Sequence, residues 1–173
     1  MKKTWIFSVV GAIVAFAAIY WAVQSGPAGT ADSTDIGIRK PAPNFELTDL
    51  EGRPLSLEQL KGKVVIVDFW ATWCPPCRLE IPGFVRLQEE YGSKGLQIVG
   101  LSMDDGPEVV RQYMTQMKIT YPVAVVGADI AKAFGGIQAI PTTFVIDRQG
   151  RIVSRHVGYV DAGTFQEEIT SLL

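Results

Sequence analysis

The chain has 173 residues, a formal net charge of −2 and 47% apolar residues. This length suits one globular domain with a sizeable core. The 16 basic and 18 acidic residues are dispersed without a basic block, which argues against nucleic-acid binding. Only two cysteines and one histidine occur, so few side chains are available for a metal site.

The chain opens on an apolar segment. Residues 1–3 carry two lysines, and residues 4–23 carry no formal charge. As a helix, those twenty residues would span about 30 Å, the thickness of a hydrocarbon core. We predict a cytosolic end at residues 1–3 and a transmembrane anchor at residues 4–23. A cleaved signal peptide is the alternative, although such a peptide has only roughly 7–15 apolar residues.

The two lysines also predict the orientation of the chain. Positive residues beside a membrane span stay in the cytosol, so the rest of the chain is expected on the periplasmic or extracytoplasmic side of the cell membrane. Residues 24–40 are rich in Ser, Gly, Thr, Ala and Asp, which predicts a flexible linker. The folded domain is expected at residues 41–173.

Strands alternate with helices in the pattern of the folded domain. Strands are expected at 45–50, 53–56, 64–70, 96–103, 122–126, 142–146 and 151–157. Helices are expected as a short one at 56–62 and as longer ones at 75–91, 105–118, 128–134 and 161–172. The alternation predicts an α/β fold with a sheet covered on both faces, in which the strands on either side of the 75–91 helix are parallel.

Both cysteines lie in the run Trp73-Cys74-Pro75-Pro76-Cys77, between a predicted strand and a predicted helix. A CxxC at this turn is typical of a thiol–disulfide redox centre. Cys74 is the expected nucleophile, because unpaired N–H groups and the helix dipole favour its thiolate. Cys77, one turn on, is the expected resolving thiol. The two prolines remove N–H donors near Cys74.

Other uses of two cysteines fit the sequence less well. A structural disulfide across two residues closes a small loop and stabilises little. Zinc needs about two more ligands, and His156 has no ligand spacing and is expected to be an ordinary strand residue. Haem attachment needs CxxCH, but Arg78 follows the pair. We therefore expect no metal and no cofactor besides the redox-active disulfide; a metal-delivery or peroxidase-like module remains the alternative of a different class.

Two stretches carry a resemblance to a known family. Residues 67–77, VDFWATWCPPC, resemble a thioredoxin-fold active site, and residues 139–147, AIPTTFVID, resemble the loop that places a cis-proline against the CxxC. With the apolar N-terminus and the extra strand–helix segment around residues 106–126, the chain is similar to membrane-anchored TlpA/ResA/DsbE-like thiol–disulfide oxidoreductases. The resemblance implies a thioredoxin-like fold, a central mixed sheet flanked by helices, with an extra N-terminal hairpin and a central insertion.

The resemblance also implies a target-binding surface beside the cysteines. A cis bond before Pro141 would leave the backbone of Ile140 free to pair with an extended target strand. The expected surface residues are Trp73, Pro75, Pro76, Ile140, Pro141 and Thr142.

Two acidic residues are candidates for proton transfer. Asp68 lies in an otherwise apolar strand, so it is expected to be partly protonated or hydrogen-bonded. In thioredoxin-like sites the matching acid helps to move the proton of the buried cysteine, so we predict Asp68 as the general base for Cys77, with a satisfied buried polar group as the alternative. Glu80 lies one turn beyond Cys77; the resemblance implies that it tunes the thiols, and a solvated helix-face acid is the alternative.

The sequence therefore predicts an exported, membrane-anchored enzyme that reduces disulfides of target proteins. A reductant in an oxidising compartment must be recharged, and the resemblance implies an integral membrane thiol carrier as the electron donor. It also implies targets such as apocytochrome c. A thiol oxidase of the same fold remains an alternative, because the motif does not set the reduction potential.

Overall fold

The computed structural model describes residues 39–173, so the predicted anchor at 4–23 and most of the predicted linker lie outside the described residues. Within the described part of the chain, no helix combines the length and apolarity needed to cross a membrane. The described residues begin with the antiparallel strands β1 (Glu46–Thr48) and β2 (Pro54–Ser56). They form the expected N-terminal hairpin.

A five-stranded mixed sheet forms the centre. Its strands are β3 (Val64–Trp70), β4 (Leu96–Ser102), β5 (Val123–Val125), β6 (Thr142–Ile146) and β7 (Ile152–Val157), in the spatial order β5-β4-β3-β6-β7. Strand β3 pairs in parallel with β4 and antiparallel with β6, while β4–β5 is parallel and β6–β7 antiparallel. The helices are α1 (Pro75–Tyr91), α2 (Pro107–Met117), α3 (Ala128–Ala133) and α4 (Ala162–Thr170). The predicted α/β fold with a mixed sheet is confirmed.

The two faces of β3 contribute to separate apolar layers because side chains alternate along a strand. Ile66 and Trp70 pack with side chains of α1, α2 and α4. Val67 and Phe69 pack with the N-terminal hairpin and α3. All seven residues of β3 are buried, as its apolar run predicts. Asp68 lies on the first of these faces, between Ile66 and Trp70, and is therefore enclosed by the layer that contains α1.

The predicted short helix at 56–62 is only a 3-10 turn at Glu58–Leu60. Ser56 accepts a hydrogen bond from the Gln59 N–H at 3.3 Å, as a capping box predicts, but Gly62 follows at φ 87° and ends the turn. Helix α4 also ends earlier than predicted, at Thr170, whose hydroxyl donates to the carbonyl of Gln166.

Both outer strands of the sheet have neighbours along their open edges. The N–H of Leu50 donates to the carbonyl of Val123 in β5 at 2.8 Å. At the other edge, the N–H of Ile152 in β7 donates to the carbonyl of Lys40 at 2.9 Å. The chain that precedes the sheet therefore covers part of each edge.

Candidate active site

Cys74 is the N-cap of α1, and it forms a disulfide with Cys77. Pro75 and Pro76 occupy the first helical positions and have no N–H, so the first amide of the helix belongs to Cys77. That N–H donates to Cys74 Sγ at 3.3 Å. The reactive sulfur thus accepts a hydrogen bond from the first available amide of the helix, and this bond favours negative charge on the sulfur.

The loop before Cys74 is fixed to the end of the neighbouring strand by Asp104. Its carboxylate accepts the N–H of Thr72 at 2.9 Å, the hydroxyl of Thr72 at 2.6 Å and the hydroxyl of Ser102 at 2.8 Å. Because β3 and β4 are parallel, their carboxyl ends meet at the same edge of the sheet. The sequence reading missed Asp104, although its place directly after a buried strand was a usable signal.

The second predicted loop lies against the disulfide, as the resemblance implies. The Ile140–Pro141 peptide bond is cis. The carbonyl oxygen of Ile140 lies 3.6 Å from Cys74 Sγ. Within residues 39–173, the Ile140 N–H makes no backbone hydrogen bond. The backbone of Ile140 is thus available beside the reactive sulfur.

An apolar groove of about 190 Å³ lies beside the disulfide and is lined by Trp73, Met103 and residues 137–140. Trp73 is 66% exposed, so its ring forms an open wall of the groove. The predicted surface residues Trp73 and Ile140 therefore share one groove, which Met103 also lines.

The remaining predicted surface residues differ in exposure. Pro75 is exposed and Pro76 is half-buried. Thr142 is fully buried, and its hydroxyl donates to the carbonyl of Ala139 at 2.7 Å. Thr142 therefore stabilises the loop from inside, and the structure gives its side chain no surface for contact with a target.

Asp68 is buried beneath this site, with only 1% of its surface exposed. The hydroxyl of Thr143 on β6 donates to its Oδ1 at 3.3 Å. Burial raises its pKa well above the ordinary value, the charge of Glu80 raises it further, and the Thr143 hydrogen bond lowers it in part. The expectation that this buried carboxyl is partly protonated or hydrogen-bonded is met by the hydrogen bond from Thr143.

Glu80 is also buried, with 3% exposed, so the alternative of a solvated helix-face acid was wrong. The segment before α4 folds over it, and the N–H of Val160 donates to its Oε1 at 3.1 Å. Its Oε2 is buried without a hydrogen-bond partner among residues 39–173. Burial raises the pKa of Glu80 to about 7, against the Val160 hydrogen bond and the charge of His156, which both lower it.

The two carboxyls ionise in a fixed order. Glu80 has one backbone donor and a histidine nearby, whereas Asp68 has one neutral hydroxyl and is the more deeply enclosed. Glu80 therefore ionises first, and its negative charge adds to the cost of ionising Asp68. The two buried acids of this layer therefore interact, with the pKa of Glu80 raised to about 7 and the pKa of Asp68 raised well above its ordinary value.

Comparison with known proteins places this site in a family. A family model described as the AhpC/TSA family matches residues 38–155. The chain belongs to this AhpC/TSA, thioredoxin-like family. It is 34% identical over 157 residues to "Thiol-disulfide oxidoreductase ResA" of Bacillus anthracis, covering 91% of this chain and 90% of that protein. It is 33% identical over 145 residues to "Thioredoxin-like protein YneN" of Bacillus subtilis, covering 81% and 84%.

Solved structures support the same assignment. A thiol:disulfide interchange protein of Chlorobium tepidum TLS superposes with a TM-score of 0.74 at 38% identity, covering 79% of this chain and 97% of that one. A DsbF homologue of Corynebacterium diphtheriae gives 0.74 at 28% identity, covering 85% and 96%. The protein is a thiol–disulfide oxidoreductase of the ResA/DsbE type.

We predict that Glu80→Gln makes the stability of the oxidised protein less dependent on pH. Between pH 4.5, the ordinary value, and about 7, folded Glu80 holds a proton that the unfolded chain has lost. Folding stability from this group therefore falls as pH rises through that window, by up to about 3 kcal/mol. Gln keeps the acceptor for the Val160 N–H but does not ionise. Denaturant unfolding at pH 4.5 and 8 measures the difference.

The exposed Glu89 on the same helix provides the matched control, since Glu89→Gln removes a charge from α1 without changing a buried group. Its unfolding free energy should follow the pH dependence of the wild type. Parallel curves for the wild type and Glu80→Gln would contradict the raised pKa of Glu80.

Proposed function

We propose that the protein reduces disulfides of target proteins on the extracytoplasmic side of a membrane to which residues 4–23 anchor it. One observation carries the proposal: the Cys74–Cys77 pair caps a helix beside both a free backbone segment and an open apolar groove. The similarity to proteins named "Thiol-disulfide oxidoreductase ResA" supports thiol–disulfide exchange as the chemistry, and the direction of electron flow is the part that the reduction potential tests. No cofactor beyond the disulfide is part of the proposal.

The reaction begins with the reduced pair. The thiolate of Cys74 attacks one sulfur of the target disulfide, forms a mixed disulfide and releases the other target sulfur as a thiolate. The thiol of Cys77 then loses its proton and attacks Cys74 Sγ, which forms the Cys74–Cys77 disulfide and releases the second target thiolate. Both released thiolates take up protons. The target gains two electrons, and the protein's dithiol loses two.

A target polypeptide would bind in extended form across the site. The unpaired backbone of Ile140 offers hydrogen bonds to a target strand beside Cys74 Sγ. Trp73 and Met103 line the adjacent groove and would contact apolar side chains next to the target cysteine. Backbone hydrogen bonds and a shallow apolar groove would accept many different target sequences. Such a site would suit unfolded apocytochrome c or another assembly substrate.

The proton of Cys77 would pass to Asp68. Cys77 belongs to the apolar layer between β3 and α1, and Asp68 lies on the face of β3 that this layer covers. An ordinary aspartate has a pKa of about 3.9 and is a poor base for a thiol near 8.5. The raised pKa of Asp68 brings its pKa closer to that of the thiol and makes its ionised form a stronger base.

The oxidised pair must be recharged after each cycle. Within residues 39–173, Cys74 and Cys77 are the only cysteines, so the electrons come from a separate dithiol. In an oxidising compartment we propose an integral membrane thiol carrier as that donor. An anchor at residues 4–23 would keep both partners in the same membrane.

Trapping of the target tests the order of the steps. Cys77→Ser retains the nucleophile and lacks the resolving thiol, so it should accumulate mixed disulfides with target proteins that migrate as adducts on non-reducing gels. Cys74→Ser should form few adducts under the same conditions, because it is Cys74 Sγ, and not Cys77 Sγ, that accepts the helix N–H and lies beside the Ile140 backbone. Equal trapping by both variants would contradict the assignment of Cys74 as nucleophile. Mass spectrometry of the adducts identifies the targets.

The reduction potential tests the direction of electron flow. A reductase should equilibrate with glutathione or thioredoxin standards at a strongly reducing value, close to the thioredoxin reference of about −270 mV. A value near −120 mV, that of a strong oxidant, would instead assign the protein as a disulfide donor.

We predict that Asp68→Asn slows resolution of the mixed disulfide by roughly 100- to 10,000-fold at neutral pH, because positioned proton transfer contributes about that much. Formation of the mixed disulfide through Cys74 should change far less. Stopped-flow kinetics with a model disulfide separate the two steps. Thr143→Val, which removes the hydroxyl bound to Asp68 but leaves the carboxyl, serves as the comparison. Unchanged resolution in Asp68→Asn would remove Asp68 from the mechanism.

A further inference from the structure

His156 lies in the same row across the sheet as Asp68. In the strand register, Asp68 on β3 is opposite Thr143 on β6, and Thr143 is opposite His156 on β7. Residues directly opposite one another point to the same face of a sheet. The imidazole is therefore on the face that contains the buried acids, two strands away from Asp68.

The imidazole is held in place by α4. Its Nε2 lies 3.0 Å from Oε2 of Glu168, and its ring meets the ring of Phe165 edge-on at 5.1 Å. The side chains of His156 and Glu168 are 23% and 20% exposed, so the pair connects the buried layer with solvent. The hydrogen bond to His156 helps to lower the pKa of Glu168, which keeps that carboxylate charged.

The charged and titratable groups near His156 come from several elements. Glu168 approaches from α4, Glu80 from α1 and Asp68 from β3. Glu80 also borders a surface cleft of about 70 Å³ together with Arg86 and Tyr159. Arg155, the neighbour of His156 on β7, lies on the opposite face, over the ring of Phe144 at 5.7 Å. Of the two neighbouring basic side chains on β7, His156 is thus the one on the side of the sheet where the acids are buried.

We propose that His156, oriented by Glu168, is a positioning residue that sets the charge state of Glu80 and thereby the pH dependence of the dithiol reaction. The kinetic part of this proposal rests on the proposed function of the buried acids. An imidazole gains its proton between about pH 5 and 8. A positive charge on the imidazole favours the ionised form of Glu80 and so lowers the pKa of that carboxyl.

The consequence concerns the resolving step. Glu80 is the acid that ionises first, and its charge opposes ionisation of Asp68. A positive imidazole keeps Glu80 ionised at lower pH. It therefore shifts the pH range over which the two buried acids, Asp68 and Glu80, can accept the proton of Cys77. His156 touches neither the disulfide nor a target, and it acts only through Glu80.

The test is a direct titration of Glu80 in the full chain. Carboxyl signals of the 13C-labelled oxidised protein are followed against pH by NMR, with Glu80→Gln assigning the signal. We expect His156→Gln to shift the midpoint of Glu80 upward by at least about 0.5 pH unit, because it removes the cation. His156→Lys keeps a positive charge at every pH and should leave the midpoint at or below that of the wild type.

Arg155→Gln is the matched control, because it removes a cation from the same strand but from the opposite face. Its Glu80 midpoint should stay within about 0.2 pH unit of the wild type. An unmoved midpoint in His156→Gln, or an equal shift in Arg155→Gln, would overturn the proposal. A folded His156→Lys variant whose midpoint rises as in His156→Gln would overturn it as well.

Kinetics separate this inference from the proposed function. If the buried acids serve the reaction, the acidic limb of the pH profile for resolution shifts in His156→Gln, and this shift disappears in a Glu80→Gln background. If the midpoint shifts but Asp68→Asn and Glu80→Gln leave resolution unchanged, the proposed role of the acids fails while the link between His156 and Glu80 stands.

Discussion

The geometry of the site depends on one helix terminus. Helix α1 begins where the central strand ends, and Cys74 is at once its cap and its reactive group. Two prolines leave the Cys77 amide as the first donor of the helix, and this donor faces Cys74 Sγ. The bonds from Thr72 and Ser102 to Asp104 fix the preceding loop. A displaced helix end would move the sulfur relative to both Ile140 and the buried acids.

The two buried acids near this helix end, Asp68 and Glu80, destabilise the fold. Two carboxyls in an apolar layer raise each other's cost of ionisation, and a hydrophobic pair of similar volume would avoid that cost. Their raised pKa values are what a base for a thiol requires. Under the proposed function, the folding free energy that Asp68 and Glu80 cost is offset by a proton affinity suited to accepting the proton of Cys77.

Local sequence patterns predicted most of the fold and the reactive pair. The apolar run of β3, the CxxC turn and the alternation of strands and helices each depend on near neighbours, and the structure agrees with them. Burial of Asp68 was also predictable, since it interrupts an apolar strand. The resemblance, more than any local pattern, indicated the cis bond before Pro141.

The features that local sequence patterns did not predict depend mostly on contacts between residues far apart in the sequence. Glu80 was open to two readings because its burial depends on Val160, 80 residues further on. The row from Asp68 to His156 depends on the antiparallel register of β6 and β7 with β3, which no single segment specifies. The segment around Glu58–Leu60 was predicted to be a short helix but forms only one 3-10 turn, because the left-handed Gly62 follows closely after it.

The covered edges of the sheet have a consequence for self-association. Exposed edge strands pair readily with other chains, which promotes aggregation. Here β5 has only three residues and accepts a hydrogen bond from Leu50, while β7 begins beside Lys40 and carries Arg155 and His156. The partial cover of both edges therefore leaves little of the sheet for pairing with copies of the protein. Under the proposed function, a target strand would pair instead with the short stretch at Ile140, beside Cys74 Sγ.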